Sequence, residues 1–227
     1  MNHWSPPQRP AAYAEQTLLT AILDGSYPPG TTLPAERELS VQLGVTRPTL
    51  RETLQRLERD GWLTIQQGKP TRVNDFWCHG GLNVLSALVR NGHVPADFIP
   101  NLLEVRLSMA PAYTRLAVIN QPSMVLECLE KAPALADEPA AYASFDWCLH
   151  HTLTVASSNP IYTLILNGFS GFYQQIATTY FARRQHRQAS QTFYSALQSA
   201  TQQNDPASAE QIARLAMQES IRLWQEA

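Results

Sequence analysis

Cysteine is scarce in this sequence, and its few thiols form no recognisable motif. Cys78, Cys128 and Cys148 are the three cysteines of the 227-residue chain, and none of their spacings is a CxxC or another metal-binding spacing. An odd number of cysteines cannot close a complete disulfide framework. We therefore expect free thiols, as in a protein of the reducing cytoplasm.

Long apolar runs, a signal peptide and a large excess of charge are also missing. The first residues lack the basic start and the apolar block of a signal peptide, and no uncharged apolar run approaches the ~20 residues that span a bilayer. The formal net charge is −2, which argues against a protein that coats nucleic acid indiscriminately. We expect a soluble cytoplasmic protein with no membrane partner.

Motifs for catalysis are absent as well. The sequence contains no Gly-x-Ser-x-Gly elbow, no glycine-rich phosphate loop, and no cysteine whose spacing to a histidine and an acid suggests a nucleophile. Glu52, Glu58 and Asp60 lie among arginines and resemble ordinary surface charges. We therefore expect that this protein is not an enzyme and has no cofactor.

The sequence does contain a pair of short amphipathic helices, within residues 34–57. Gly44 allows a tight turn between them, and Thr46 can cap the second helix. The first helix has apolar residues at Ala35, Leu39, Val41 and Leu43. In the second helix the leucines form the face expected to be buried, and the other face has hydrogen-bonding side chains at Thr49, Arg51, Gln55 and Arg56. The pattern predicts a DNA-binding helix-turn-helix, with an ordinary helical hairpin as the alternative.

A β-hairpin pattern follows and favours the DNA-binding interpretation. Residues 62–65 and 71–73 favour short strands, and residues 66–70 favour a turn. Lys69, one of only two lysines in the chain, lies at the tip beside Gly68, where both could approach a phosphate at the minor groove. Any hairpin tip tolerates a lysine, but the hairpin and the preceding helices together predict a winged helix-turn-helix.

Three segments of this region, residues 28–40, 44–57 and 60–71, carry specific motifs. They resemble the winged-helix domain of the GntR family of bacterial transcription factors. Further matches, among them Asn74-Asp-Phe-Trp77, Ser158-Asn-Pro-Ile-Tyr162 and Glu219-Ser220, extend the resemblance over nearly the whole chain. Those matches narrow the resemblance to the acyl-CoA-responsive regulators of fatty-acid metabolism within the family.

The resemblance implies a homodimer that binds a pseudo-palindromic operator in double-stranded DNA, with recognition helices in the major groove and wings in the minor groove. It implies DNA contacts at Arg37, Thr46, Arg47, Thr49, Arg51, Gly68 and Lys69. The chain departs from the pattern at Pro48, which replaces a threonine, and at Gln67, which replaces a histidine. Proline is acceptable in a first helical turn, but a hydroxyl is lost, so we expect a slightly different operator preference.

The sequence predicts a mainly α fold with two domains. A winged helix-turn-helix occupies residues 1–73, with a first helix over 11–24, and a linker follows over 74–80. Residues 81–227 form an all-α antiparallel bundle of six or seven helices, separated at glycine and proline breaks. The resemblance implies that this regulatory domain encloses a site for long-chain acyl-CoA.

Arg106 lies on the apolar face of a predicted helix, among Ile99, Leu102, Leu103, Met109 and Tyr113. A guanidinium on an apolar face needs a partner. That partner is either a buried acid in a structural ion pair or a carboxylate, thioester oxygen or phosphate of a ligand. The residues leave both alternatives open, and the resemblance favours the ligand.

An aromatic and aliphatic stripe runs along residues 160–182, which we predict as one helix. Such a stripe is usually core, but it would also suit the wall of an acyl-chain tunnel. Tyr180 matches a tyrosine of the family's ligand pocket, and Ser220 and Trp224 of the last helix match further pocket residues. The resemblance thus implies an acyl-CoA site formed by Arg106, Tyr180, Ser220 and Trp224.

Asp146 and His150 are spaced to share one helical face and could supply two metal ligands. Many effector domains of the family add two later histidines to such a pair. This chain has Tyr194 at one of those places and no histidine near residues 218–220, at the other. Because two ligands hold a metal poorly, we expect no metal site.

These expectations combine into one function and two alternatives. We expect a transcription regulator of fatty-acid metabolism, a repressor of degradation genes and an activator of unsaturated fatty-acid synthesis genes, that long-chain acyl-CoA releases from its operator. The first alternative is a GntR-family regulator that senses a small carboxylate through a metal site. The second is an acyl-CoA enzyme such as a thioesterase, in which the winged helix would have no role.

Overall fold

The computed structural model describes residues 9–226, and twelve α-helices, one 3₁₀ turn and one two-stranded sheet account for most of them. The mainly α fold expected from the sequence is confirmed. Within these residues no helix is both long enough and apolar enough to cross a membrane. The N-terminal segment that lacks a signal-peptide pattern falls mostly outside the described residues, as do the outer ends of both expected domains.

The first of two structural units ends at His93. Its elements are α1 (Pro10–Leu23), α2 (Glu36–Gln42), α3 (Arg47–Arg59), β1 (Leu63–Thr64), β2 (Arg72–Val73), α4 (Phe76–His79) and α5 (Asn83–Arg90). The strands are antiparallel, with Leu63 opposite Val73. Helix α3 buries its leucines against α1, and the hairpin follows it directly. The winged helix-turn-helix predicted from the sequence is confirmed.

The apolar face predicted for α2 is only partly correct. Leu39 is 2% exposed, but Val41 is 78% exposed and Ala35 is also exposed. Positions two residues apart lie about 200° apart around an α-helix, so Leu39 and Val41 cannot share a face. Ser40 takes the second buried position instead, and its hydroxyl donates to the Arg37 carbonyl at 3.0 Å.

The segment expected as a linker, residues 74–80, packs against the winged helix. The Phe76 ring lies 4.9 Å from the Trp62 ring, centroid to centroid, and the Asn74 N–H donates to the Trp62 carbonyl at 2.9 Å. Asn83 of α5 donates from Nδ2 to the Asp60 carbonyl at 3.1 Å. These contacts place α4 and α5 in the first of the two units, which ends at His93.

The second unit begins at Val94 and is helical throughout its described residues. Its elements are α6 (Phe98–Asn120), α7 (Pro122–Leu129), a 3₁₀ turn (Ala132–Ala134), α8 (Pro139–Ala156), α9 (Pro160–Asn167), α10 (Ser170–Phe181), α11 (Arg184–Gln202) and α12 (Pro206–Gln225). Helix α6 packs along α12 and α8, and α8 packs on α10. The all-helical bundle expected after the winged helix is confirmed.

The single helix predicted over residues 160–182 is two helices in the structure. Asn159 caps α9, because its Oδ1 accepts a hydrogen bond from the Ile161 N–H at 3.1 Å. The chain then leaves the helix at Gly168, which has low helix propensity, and resumes it after Phe169. Eight helices therefore follow residue 81 in the part of the chain that the structure describes, one or two more than the sequence predicted.

Gly61 is expected to be sensitive to substitution, because both its backbone conformation and its surroundings exclude a side chain. Its φ is +85°, and a Cβ there would lie 2.7 Å from the His79 carbonyl oxygen. Gly25 has a similar φ of +84° with open space around a Cβ, so Gly25→Ala is the control for backbone strain alone. Gly61→Ala should lower the free energy of unfolding by about 1–3 kcal/mol more than Gly25→Ala, measured by urea denaturation. Equal losses would contradict the close packing of α4 beside α3.

Candidate DNA-binding surface and effector cavity

The residues expected to contact DNA lie on three neighbouring parts of the first unit. Arg37 is on α2, the recognition-helix candidates are at the start of α3, and Gly68 and Lys69 are at the hairpin tip. Of the seven, only Thr49 is half-buried, and the other six are exposed. Gly68 has a φ of +76°, which allows the Lys69 N–H to close the turn onto the Gln66 carbonyl at 3.0 Å.

Some of these side chains already have partners within the protein. Thr46 is the N-cap of α3, since its hydroxyl oxygen accepts a hydrogen bond from the Thr49 N–H at 3.3 Å. Arg51 donates from Nε to Glu36 at 2.7 Å, which leaves its terminal nitrogens available. Arg37, Arg47 and Lys69 form no ion pair with any described residue, so these three cations remain available for phosphates or bases.

The second unit contains an apolar cavity bounded by α6, α8, α9 and α10. Helix α6 lines it with the predicted apolar face, from Ile99 to Tyr113, and α10 lines it with Phe172 and Ile176. Its volume is about 110 Å³, several times the ~10–15 Å³ that a single water requires. From Phe169 to Tyr180 the predicted stripe lines this space. Its α9 part is wrong, because Ile161 and Leu164 are exposed and α9 lines the cavity with Tyr162 and Leu166 instead.

Arg106 meets a buried acid at the wall of this cavity. Its Nη2 donates to Asp146 at 2.7 Å to Oδ2 and at 3.0 Å to Oδ1. The Asp146 carboxylate also accepts hydrogen bonds from the hydroxyls of Tyr173 and Tyr194. The Asp146 side chain is 3% exposed and that of Arg106 is 21% exposed. The structural ion pair, the first of the two alternatives, is thus present, and part of the guanidinium still faces the cavity.

The tautomer of His150 follows from its two neighbours. Arg106 can only donate, so the Nε2 of His150, which contacts Arg106 Nη2, must carry a lone pair. The proton of the neutral ring is therefore on Nδ1, where it is donated to the Tyr113 hydroxyl at 2.6 Å. His150 is a neutral acceptor for the arginine and fixes Tyr113 beside the cavity.

Burial and charge set the ionisation of this group. Burial alone would raise the pKa of Asp146, but the Arg106 charge, together with the hydrogen bonds from Tyr173 and Arg106, outweighs burial and holds that pKa below its usual value. Burial, helped by the same positive charge, lowers the pKa of His150 to about 3. Burial likewise raises the pKa of Tyr113, Tyr173 and Tyr194. The cluster at neutral pH is one cation, one anion, a neutral imidazole and neutral phenols.

The guanidinium stands between Asp146 and His150, the two residues considered as metal ligands. Arg106 Nη2 contacts both side chains, so a cation is already present between them. Tyr194 donates to Asp146 at 3.3 Å and contributes a neutral phenol. Among residues 9–226 no group of three or more His, Cys, Asp or Glu side chains is arranged to hold a metal ion. The absence of a metal site stays a prediction, and Arg106 gives it a physical basis.

The remaining candidate ligand residues lie close to this cluster. Tyr180 lines the cavity, and its ring stacks on Trp224 with centroids 6.5 Å apart. Ser220 lines a smaller space of mixed polar and apolar character that Arg106 and Tyr180 share. Trp224 lines neither space and acts as a support for Tyr180. No local pattern indicated that the phenols of Tyr113, Tyr173 and Tyr194 surround the ion pair, because only tertiary contacts bring them together.

His150 should make the protein less stable in mild acid. In the unfolded chain the His150 ring has its ordinary pKa of 6.5, whereas in the folded protein its pKa is about 3. Between these two pKa values the free energy of unfolding should decrease by up to ~1.4 kcal/mol for each unit by which the pH is lowered. His150→Gln keeps an acceptor for Arg106 but cannot titrate, so its urea-denaturation curves should show a shallower pH dependence. Identical slopes for the two proteins would show that His150 is not buried as a neutral ring.

Comparisons with known proteins agree with this geometry. Residues 10–73 match the family described as bacterial regulatory proteins, gntR family, and residues 74–227 match the FadR C-terminal domain. A fatty acid metabolism regulator protein of Shewanella pealeana is 48% identical over 190 residues, which are 83% of this chain and 80% of that protein. One of Shewanella frigidimarina is 42% identical over 219 residues, 95% of this chain and 91% of that protein.

A solved structure is similar in fold. It is described as Lar, which controls the expression of the Listeria monocytogenes agr system and mediates virulence. The TM-score is 0.62 at 18% sequence identity, and the match covers 98% of this chain and 99% of that one. At this identity the likeness concerns the fold alone.

Proposed function

This chain belongs to the GntR family of bacterial regulatory proteins and carries a FadR C-terminal domain, and from this we propose that it regulates the transcription of fatty-acid metabolism genes. In this proposal a homodimer binds operator DNA through the winged helix, and a long-chain acyl-CoA bound in the second unit releases it. The observation that carries the ligand assignment is an apolar cavity with one buried, partly accessible cation at its wall.

The surface of the first unit supports the DNA part of the proposal. Arg47 lies at the start of α3, where side chains reach base edges, and an arginine there can bind guanine through two hydrogen bonds. Arg37 and Lys69 flank it from α2 and the hairpin tip, and both suit phosphates. A two-fold dimer would present this surface twice, as a pseudo-palindromic operator requires.

The cavity supports the ligand part. An acyl chain would fill the cavity along the apolar side chains of α6 and α10. Each methylene group that it buries there would contribute favourably to the free energy of binding. The thioester oxygen or a phosphate could accept a hydrogen bond from the exposed part of Arg106, or from Tyr180 and Ser220 beside it. The smaller space lined by Arg106, Tyr180 and Ser220 is more polar than the cavity, and in this proposal the polar end of the ligand extends towards it.

The alternative ligand, a small carboxylate held through a metal, has less support. Its metal would need the lone pair of His150 and the carboxylate of Asp146, and both are directed at Arg106. An acyl-CoA enzyme is also less well supported, because none of the described groups in the cluster is an activated nucleophile. The hydroxyls there are phenols whose pKa burial raises.

Release from DNA requires that the ligand bind the DNA-incompetent state more tightly than the competent one. A mobility shift of labelled operator, titrated separately with long-chain acyl-CoA, free fatty acid and CoA, tests this directly. The proposal expects release by acyl-CoA at concentrations where fatty acid and CoA have little effect. Release by CoA alone, or no release by any of the three, would overturn the ligand assignment.

A cavity-filling substitution should uncouple the ligand from DNA release. Leu102→Trp would occupy the cavity while leaving the Arg106–Asp146 pair and the winged helix unchanged. This variant should bind operator like the parent but need at least about tenfold more acyl-CoA for half-release, a loss of about 1.4 kcal/mol in ligand binding. Ile119→Trp, an exposed position on the same helix, is the control and should respond like the parent. Equal responses of both variants would place the ligand elsewhere.

Arg106→Ala is not a suitable test of the ligand site, because it would leave the Asp146 carboxylate buried without its cation. Breaking a buried pair in this way costs about 3–5 kcal/mol and threatens the fold itself.

Two substitutions in the first unit should separate base reading from phosphate binding. Arg47→Ala should cost about 1–3 kcal/mol on operator and reduce the ratio of operator to random-DNA affinity. Lys69→Ala should weaken binding to operator and to random DNA alike. It should also reduce the slope of log affinity against log salt concentration by about one unit for each phosphate that the lysine neutralises. Fluorescence anisotropy at several salt concentrations distinguishes the two. A preserved specificity ratio in Arg47→Ala would remove that residue from base reading.

A further inference from the structure

The carboxylate of Glu36 lies beside cations of the surface that is expected to meet DNA. Glu36 is the first residue of α2, and Arg51 is on α3, so the pair joins the two helices of the helix-turn-helix. Arg51 donates from Nε to Glu36 Oε2 at 2.7 Å. Arg37, which is exposed, follows Glu36 directly in the chain. A carboxylate on this surface would repel the phosphates of DNA, so it weakens binding unless it has a further role.

Folding stability does not account for this ion pair. The side chain of Arg51 is 58% exposed and that of Glu36 is 34% exposed. Ion pairs as exposed as this one contribute little to stability, because water screens the two charges. The first turn of α2 favours an acid, but Glu38 also supplies one there, and Glu38 forms no ion pair with any described residue. The contact with Arg51 therefore distinguishes Glu36 from its neighbour.

The geometry of the contact leaves the outer part of the guanidinium available. Glu36 accepts from Nε, and neither terminal nitrogen of Arg51 has a hydrogen-bond partner among residues 9–226. Arg47 lies four residues before Arg51 and so shares its face of α3. A guanidinium that is held through Nε loses less side-chain freedom when its planar fork binds a target.

We propose that Glu36 is a positioning residue, which holds Arg51 so that Nη1 and Nη2 are presented together to a guanine edge in the major groove. This inference rests on the DNA-binding function proposed above. An arginine without this contact could turn to the nearest phosphate of any sequence, whereas a held fork matches the two acceptors of guanine. The repulsion between the carboxylate and phosphates acts on all DNA, so Glu36 contributes to the preference for operator rather than to affinity.

Two substitutions of Glu36 separate positioning from charge. Glu36→Ala and Glu36→Gln each remove one negative charge, but only glutamine keeps an oxygen that can accept from Arg51 Nε. Glu36→Ala should lower the ratio of operator to random-DNA affinity at least about fivefold, the smaller effect expected for one lost bidentate contact. Glu36→Gln should keep most of that ratio. Glu38→Ala removes the same charge from the same helical turn and should leave the ratio unchanged.

The affinities are measured by fluorescence anisotropy on two duplexes of equal length. One is the duplex that the parent protein selects from a random-sequence pool, and the other is random DNA. A parent that does not prefer the selected duplex would overturn the proposed function and this inference with it. If the parent prefers it and Glu36→Ala keeps the parent's ratio, the inference alone fails. Equal losses in Glu36→Ala and Glu36→Gln would show that the carboxylate acts through its charge.

A double variant tests whether Glu36 acts through Arg51. In the Arg51→Ala protein there is no guanidinium to hold, so adding Glu36→Ala should not change the affinity ratio further. The two single variants should also lose their preference at the same base pairs, measured with operators that carry one substituted base pair each. Losses that multiply in the double variant, or losses at different base pairs, would show that Glu36 contacts DNA itself and would overturn its positioning role.

Discussion

The arrangement of the second unit depends on one buried ion pair, between Arg106 of α6 and Asp146 of α8. A carboxylate that is almost fully buried is costly unless a cation and further hydrogen bonds compensate for lost water. Arg106 supplies the charge, and the phenols of Tyr173 and Tyr194 complete the coordination of the oxygens. Because these partners come from α6, α10 and α11, the same group joins α8 to three other helices, and α6, α8 and α10 bound the cavity.

The ion pair also determines the chemistry of its surroundings. Burial and the positive charge of Arg106 together keep His150 neutral, and the contact with Arg106 fixes its proton on Nδ1. The same charge takes the place between Asp146 and His150 that a metal would need. The cavity is therefore apolar along most of its wall and has a single cationic point, a combination that suits an amphiphilic ligand with a long chain and a polar head.

Local patterns predicted much of this structure. The spacing of the leucines in α3, the hairpin residues and the apolar face around Arg106 each follow from helix or strand periodicity, and the structure has them all. Periodicity could not show which partner Arg106 takes, because Asp146 is distant in sequence and reaches it only through the packing of α6 on α8. It also missed the break at Gly168, since the apolar residues on both sides continue one helical pattern.

The most direct test of this account is a double-mutant cycle on the ion pair, with unfolding free energies measured by urea denaturation. Arg106→Met and Asp146→Leu each leave a buried charge without its partner, and each should cost about 3–5 kcal/mol. The double variant replaces both charges by apolar side chains of similar size and should lose far less than the sum of the two. If the double variant instead loses the sum of the two single losses in unfolding free energy, the two charges do not stabilise each other, and the account is contradicted.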